Sequence, residues 1–172
     1  MINQTQNGKS AGFTLIEISV VVLIMGLMAL ILLPRLTGFS GGNLNTVTRH
    51  LIGTIQTLRD EAESRQKIFR LNFNLPSQVY DISVLKENGE FVPYQTESLG
   101  KVQLPSQIHL KDMVTLRQGK VTDGTAYLFF YPLGRVEKAT LHFEENGRLL
   151  TLKVMPLSGK VKLYDGYLEE QK

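Results

Sequence analysis

From Phe13 to Leu33 the chain carries one charged side chain, Glu17. An ionisable group inside an apolar helix costs a few kcal/mol, less at a membrane edge, and normally faces a partner. Two chemistries are open to it. The carboxylate can snorkel to the membrane edge, or it can pair with a cation. Ser10, Ala11 and Gly12 lie just before the apolar run. A cut after Gly12 would leave a new α-amino group on Phe13. Phe13 and Glu17 are i and i+4, so a helix places both on one face. Glu17 could equally meet the amine of a neighbouring chain.

The other residues with chemical potential form no local constellation. His50, His109 and His142 make neither H-x-x-x-H nor H-E-x-x-H, so no metal is expected. No G-x-S-x-G elbow, P-loop or dinucleotide fingerprint is present. Cysteine is absent, which excludes disulfides, thiolate metal sites and thiol catalysis. The net charge of +3 is dispersed, with no run of Lys/Arg and no interleaving of aromatic with basic residues along the chain. Nucleic acid is therefore not an expected partner. No enzyme and no cofactor is expected.

The element that must position Glu17 is a helix. At about 1.5 Å per residue, residues 13–33 span roughly the 30 Å hydrocarbon core of a bilayer. A secretory signal peptide fits less well. Its apolar region would be shorter, and Pro34-Arg35-Leu36-Thr37 offers no small-residue cleavage site. Pro34 lacks an N–H and bends or ends the helix. Residues 37–43 are rich in helix breakers and read as a joint. Leu44, Val47, Leu51, Ile55, Leu58 and Ala62 then recur at three- and four-residue steps, which predicts an amphipathic helix over about 45–67. Its other face carries Arg59, Asp60, Glu61, Glu63 and Arg65 and reads as solvated. Beyond Gln66 the period becomes two. Strands are expected over 69–73, 79–85, 107–110, 125–131, 140–143, 149–155 and 160–164, with a short proline-bearing edge at 91–94. The fold class is α+β, with a long N-terminal helix packed by its second half on an antiparallel sheet or small sandwich.

Gly12-Phe13-Thr14-Leu15-Ile16-Glu17, followed by the apolar run, resembles the prepilin-type signal of type IV pilins and type II secretion pseudopilins. The resemblance implies that a membrane peptidase cuts after Gly12 and N-methylates Phe13. It also implies that Glu17 is the assembly carboxylate and that Pro34 is the helix-kinking proline. It divides the chain into a leader (1–12), a transmembrane and assembly helix (13–36), the glycine-rich joint (37–43) and a periplasmic pilin-like domain (44–172). The leader is polar, with Lys9 its only basic side chain. The resemblance implies a single-pass inner-membrane protein with its N-terminus in the cytoplasm and its bulk outside.

Further along, Leu58-Arg59-Asp60-Glu61-Ala62, Phe129-Phe130-Tyr131-Pro132-Leu133-Gly134 and Ser158-Gly159-Lys160-Val161 resemble a loose pattern of H-type minor pseudopilins and FimT/FimU-like minor pilins. The glycine-rich joint is less typical of that group. The absence of cysteine departs from major type IVa pilins. Asp165, Glu169 and Glu170 are too scattered for the calcium site of the major pseudopilin. The resemblance implies a structural minor pseudopilin of a type II secretion system. Its partners would be other pseudopilins, the prepilin peptidase, the inner-membrane assembly platform and the lipid bilayer. The alternative it leaves is a minor pilin that primes a type IV pilus or a DNA-uptake pseudopilus, and nucleic acid would enter only with the last.

Overall fold

The computed structural model describes residues 15–37 and 44–169, the side chains within 29–37 excepted. The chain forms two compact units, residues 1–41 and 42–172.

In the first unit, α1 runs continuously over Leu15–Thr37. Of the two outcomes expected at Pro34, a bend or an end, the helix does not end there: it continues through Pro34 to Thr37, one residue beyond the expected 13–36. A proline inside a helix removes one backbone hydrogen bond, and here the remaining ladder carries the helix beyond it. The leader and residues 38–43 of the expected joint lie outside the described residues.

The second unit opens with α2 (Leu44–Arg65). Its first residue donates its backbone N–H to a Glu145 carboxylate oxygen at 3.3 Å. The anion meets the positive end of the helix dipole and satisfies a donor that has no intrahelical acceptor. Just past Arg65, Gln66 takes a left-handed φ of 52°, which stops the helix in the manner of an αL cap. The helix is thus one residue earlier at its start and two shorter at its end than its periodicity predicts.

Leu44, Leu51, Ile55, Leu58 and Ala62 are fully buried, whereas Val47 is only half-buried. Thr48 and Thr54 lie on the buried side instead. Their hydroxyls donate to the carbonyls of Leu44 (2.8 Å) and His50 (3.1 Å). That back-bonding satisfies the polar atom and lets a threonine occupy an apolar stripe.

Among the described residues eleven strands follow: β1 (Phe69–Asn74), β2 (Val79–Leu85), β3 (Phe91–Pro93), β4 (Val102–Gln103), β5 (Ile108–Thr115), β6 (Gly119–Val121), β7 (Thr125–Tyr131), β8 (Arg135–Val136), β9 (Ala139–Glu145), β10 (Arg148–Val154) and β11 (Val161–Asp165). They make two antiparallel sheets, β3-β2-β1-β7-β8 with β4 also on β2, and β11-β10-β9-β5-β6. The short strands β4, β6 and β8 carry no periodicity of their own; pairing with longer neighbours defines them. The inward faces of both sheets and the apolar stripe of α2 share one core, in which Phe69, Phe73, Tyr80, Phe130 and Phe143 are the largest fully buried side chains.

One irregularity in the second sheet re-aims a titratable side chain. β5 pairs with β9 through a bulge between Leu110 and Asp112. Ile108 and Leu110 face the core, but beyond the bulge Met113 and Thr115 do so. Strict alternation would have turned Asp112 inward with Leu110. The extra residue turns it to the outer face, directly opposite His142.

Candidate functional site: the apolar helix and the outer faces of the second unit

Gly12 and Phe13 lie outside the described residues. Glu17 sits in the first turn of α1 and is exposed. Around it the helix is apolar on every side, with Leu15 at 89% and Val22 at 62% of full exposure. Ser19 donates its hydroxyl to the carbonyls of Leu15 (2.8 Å) and Ile16 (3.0 Å), so this polar side chain is satisfied within its own helix. A helix apolar all round has its surface buried in lipid or among other helices in its working state. Residues 15–28, whose side chains are described, span about 21 Å at 1.5 Å per residue. No helix among the described residues is long and apolar enough to cross a membrane.

In the second unit the structure reassigns the charged face of α2. Arg59 donates from Nη1 to the Ser158 carbonyl at 2.7 Å and pairs with Asp60. Glu61 pairs with Arg65 and accepts from the Tyr94 hydroxyl at 2.8 Å. The Arg65 and Tyr94 hydrogen bonds hold the Glu61 carboxyl below its ordinary range, and burial raises the Tyr94 phenol. This face, expected to be solvated, therefore ties the helix to a loop and to the start of the segment after β3. Asp60, Glu63 and Arg65 are exposed, as expected of a solvated face.

The three histidines go to three different environments. His109 is exposed on β5. His50 Nδ1 lies 2.8 Å from the Tyr80 hydroxyl, and burial raises the Tyr80 phenol above its usual range. His142 is buried on the outer face of the second sheet. Its Nδ1 lies 2.5 Å from Asp112 Oδ1, and its Nε2 lies 3.1 Å from the Leu168 carbonyl oxygen. The Tyr167 ring stacks on it at 3.8 Å. Tyr167 donates its hydroxyl to Asp112 Oδ2 at 3.0 Å, and Lys120 donates to the Tyr167 oxygen at 2.7 Å. Thr151 completes the arrangement: its hydroxyl donates to the Gly166 carbonyl (2.7 Å) and accepts the Leu168 N–H (3.0 Å).

A histidine oriented by an aspartate is half of a general-base device. Here the nitrogen such a base would present to a substrate is occupied by a backbone carbonyl, beneath a tyrosine ring. The arrangement fastens the C-terminal segment to the sheet. No group of three or more metal-ligating side chains exists among the described residues. Sequence reasoning missed this cluster because Asp112, His142 and Tyr167 have no shared local spacing, and the bulge that aligns the first two has no sequence signal.

The outer face of the first sheet holds a second feature invisible along the chain. Tyr127, Phe129 and Tyr131 alternate with the buried Ala126, Leu128 and Phe130 on β7. The guanidinium of Arg70 lies over Phe91 (4.1 Å) and Tyr127 (4.4 Å), and that of Arg117 over Phe129 (5.0 Å). Phe129 also stands 5.9 Å from Phe91 and 6.4 Å from both Tyr127 and Tyr131. Folding thus interleaves aromatic and basic side chains that the sequence keeps apart.

Comparison with known proteins adds two findings. The family described as the prokaryotic N-terminal methylation motif matches residues 7–33. Two solved structures of the minor pseudopilin EpsH from the type 2 secretion system of Vibrio cholerae share the fold. One has a TM-score of 0.56 at 15% identity, covering 70% of this chain and 95% of that one. The other has a TM-score of 0.56 at 14% identity, covering 67% and 91%. No curated protein matches the sequence.

Proposed function

We propose that this chain, in which a type IV pilin-like N-terminal methylation motif precedes the α+β fold of a minor pseudopilin, is a minor pseudopilin of a type II secretion system. The observation that carries the reading is the coincidence of that motif with a single carboxylate, Glu17, in the first turn of an otherwise apolar helix.

In this reading the prepilin peptidase cuts after Gly12 and methylates the new amine of Phe13. The precursor waits in the inner membrane with its C-terminal unit in the periplasm, then enters the fibre from the assembly platform. Glu17 acts as a register device. A buried charge with a partner is tolerated, and the same charge without one costs several kcal/mol. A subunit is therefore stable in the fibre only where its carboxylate meets a neighbour's amine. The apolar surface of α1 supplies the packing, and Gly26 lets helices approach closely. Pro34 supplies a weak point for bending when the helix leaves the bilayer. The chain acts as a structural subunit and not as a catalyst.

The test is intact mass and N-terminal sequencing of the protein purified from its native membrane. A chain that begins at N-methyl-Phe13 supports the reading. A chain that begins at Met1 leaves Glu17 without its amine and overturns it.

A further inference from the structure

Two turns of the second unit hold leucines in a conformation that leucine avoids. Leu157 has φ 69° and is 68% exposed; Leu133 has φ 70° and is 77% exposed. A left-handed residue other than glycine, asparagine or aspartate is strained and persists only where its surroundings impose it. The turn of Leu157 is so imposed. Met155 donates its N–H to the Lys160 carbonyl at 2.8 Å, and the Ser158 carbonyl accepts from Arg59 at 2.7 Å. At Gly159 a Cβ would stand 3.0 Å from Arg59 Cδ and 3.1 Å from Val136 Cγ2. Nothing about this packing requires a large apolar side chain at position 157, since that side chain points into solvent.

Leu157 instead lines a groove of about 340 Å³, together with Leu116, Tyr131, Arg117, Arg135 and Lys138. Leu116 is 78% exposed. The three cations are exposed. The one carboxylate in the groove, Glu137, is buried; Arg117 lies 3.7 Å from its Oε1, and its Oε2 has no hydrogen-bond partner among the described residues. Burial pushes this carboxyl above its ordinary range. Arg117 also donates to the Tyr131 hydroxyl at 2.9 Å, so the groove is continuous with the arginine–aromatic face of the first sheet.

We infer that this groove is a docking site for an extended segment of another protein that inserts one apolar side chain between Leu116 and Leu157 and sets flanking carboxylates against Arg117, Arg135 and Lys138. The concave shape favours a side chain over a flat bilayer surface. The cationic rim selects carboxylates, which arginine binds through paired N–H donors. Tyrosine and arginine at the centre of an apolar patch are the side chains that dominate binding at interfaces. The strain at Leu157 is then retained for the contact and not for the fold. The inference rests on this surface alone and does not depend on how the N-terminus is processed.

The test uses the full chain in nanodiscs of zwitterionic lipid. The probe is a fluorescent dodecapeptide with a Leu-Phe centre flanked on each side by two Asp/Glu residues, followed by anisotropy. Leu157→Gly and Arg135→Glu are each expected to weaken binding roughly tenfold, while Leu157→Gly keeps or raises Tm because its φ is relieved. A Lys-flanked peptide is expected to gain affinity for Arg135→Glu over the unmodified protein. Equal binding by all three proteins, or binding by none, overturns the inference. So does binding of phosphatidylglycerol vesicles that Leu157→Gly abolishes, which would assign the groove to lipid. Self-association lost in Leu157→Gly would assign it to a second copy and overturn it equally.

Discussion

Asp112 and His142 stand opposite each other across the bulged β5–β9 pair, with 2.5 Å between Oδ1 and Nδ1 and with 4% and 1% of their surfaces exposed. Both ring nitrogens of His142 face acceptors, the carboxylate on one side and the Leu168 carbonyl on the other. The ring thus links the outer face of the second sheet to the last described residues of the chain.

Breaking that contact removes a buried hydrogen bond. Asp112→Asn and His142→Ala are each expected to cost about 1–3 kcal/mol, read as a lower urea midpoint. Amide exchange at Gly166 and Leu168 should accelerate, because their N–H groups bond to the Leu149 carbonyl and the Thr151 hydroxyl in the segment the pair holds down. Unchanged exchange at those amides in a folded variant would remove the fastening role.

Glu137 predicts a pH dependence. Burial is the main cause that raises its pKa, and Arg117 only partly offsets it. A carboxyl whose folded pKa exceeds the unfolded value binds its proton more tightly when folded. That contribution to stability is complete below about pH 4.3 and is lost as pH rises through the folded pKa. Glu137→Gln should therefore match the unmodified protein near pH 4 and be the more stable of the two at pH 7. Denaturant midpoints at the two pH values decide it.

Leu58 tests the core that α2 shares with the sheets. It is fully buried, and Leu58→Ala should cost about 2–5 kcal/mol through lost burial and a residual cavity. The exposed Glu63 serves as control: Glu63→Gln should shift stability by less than about 0.5 kcal/mol. Comparable losses in both would mean that the helix is not packed as described.

Glu17→Ala should leave cleavage after Gly12 intact and lower incorporation into fibres, measured by immunoblot of sheared fibres against total membrane protein. Incorporation at the normal level would eliminate the register role.

Much of this molecule is set by local pattern. A run of apolar residues with one carboxylate, a three- and four-residue stripe from Leu44 to Ala62, and period-two segments such as Phe69–Phe73 specify their elements because each periodicity matches one backbone repeat. The α+β class follows from their order. The ends of α2 and the hydrogen-bonded threonines of its buried side depend on interactions that periodicity does not encode. The outward turn of Asp112 depends on one extra residue in a ladder, which only the partner strand reveals. The arginine–aromatic face and the cationic leucine groove bring together residues tens of positions apart, because strands distant in sequence become neighbours at about 4.8 Å. The N-terminal motif is thus contiguous in the sequence, while the outer faces of the second unit exist only after the sheets have paired.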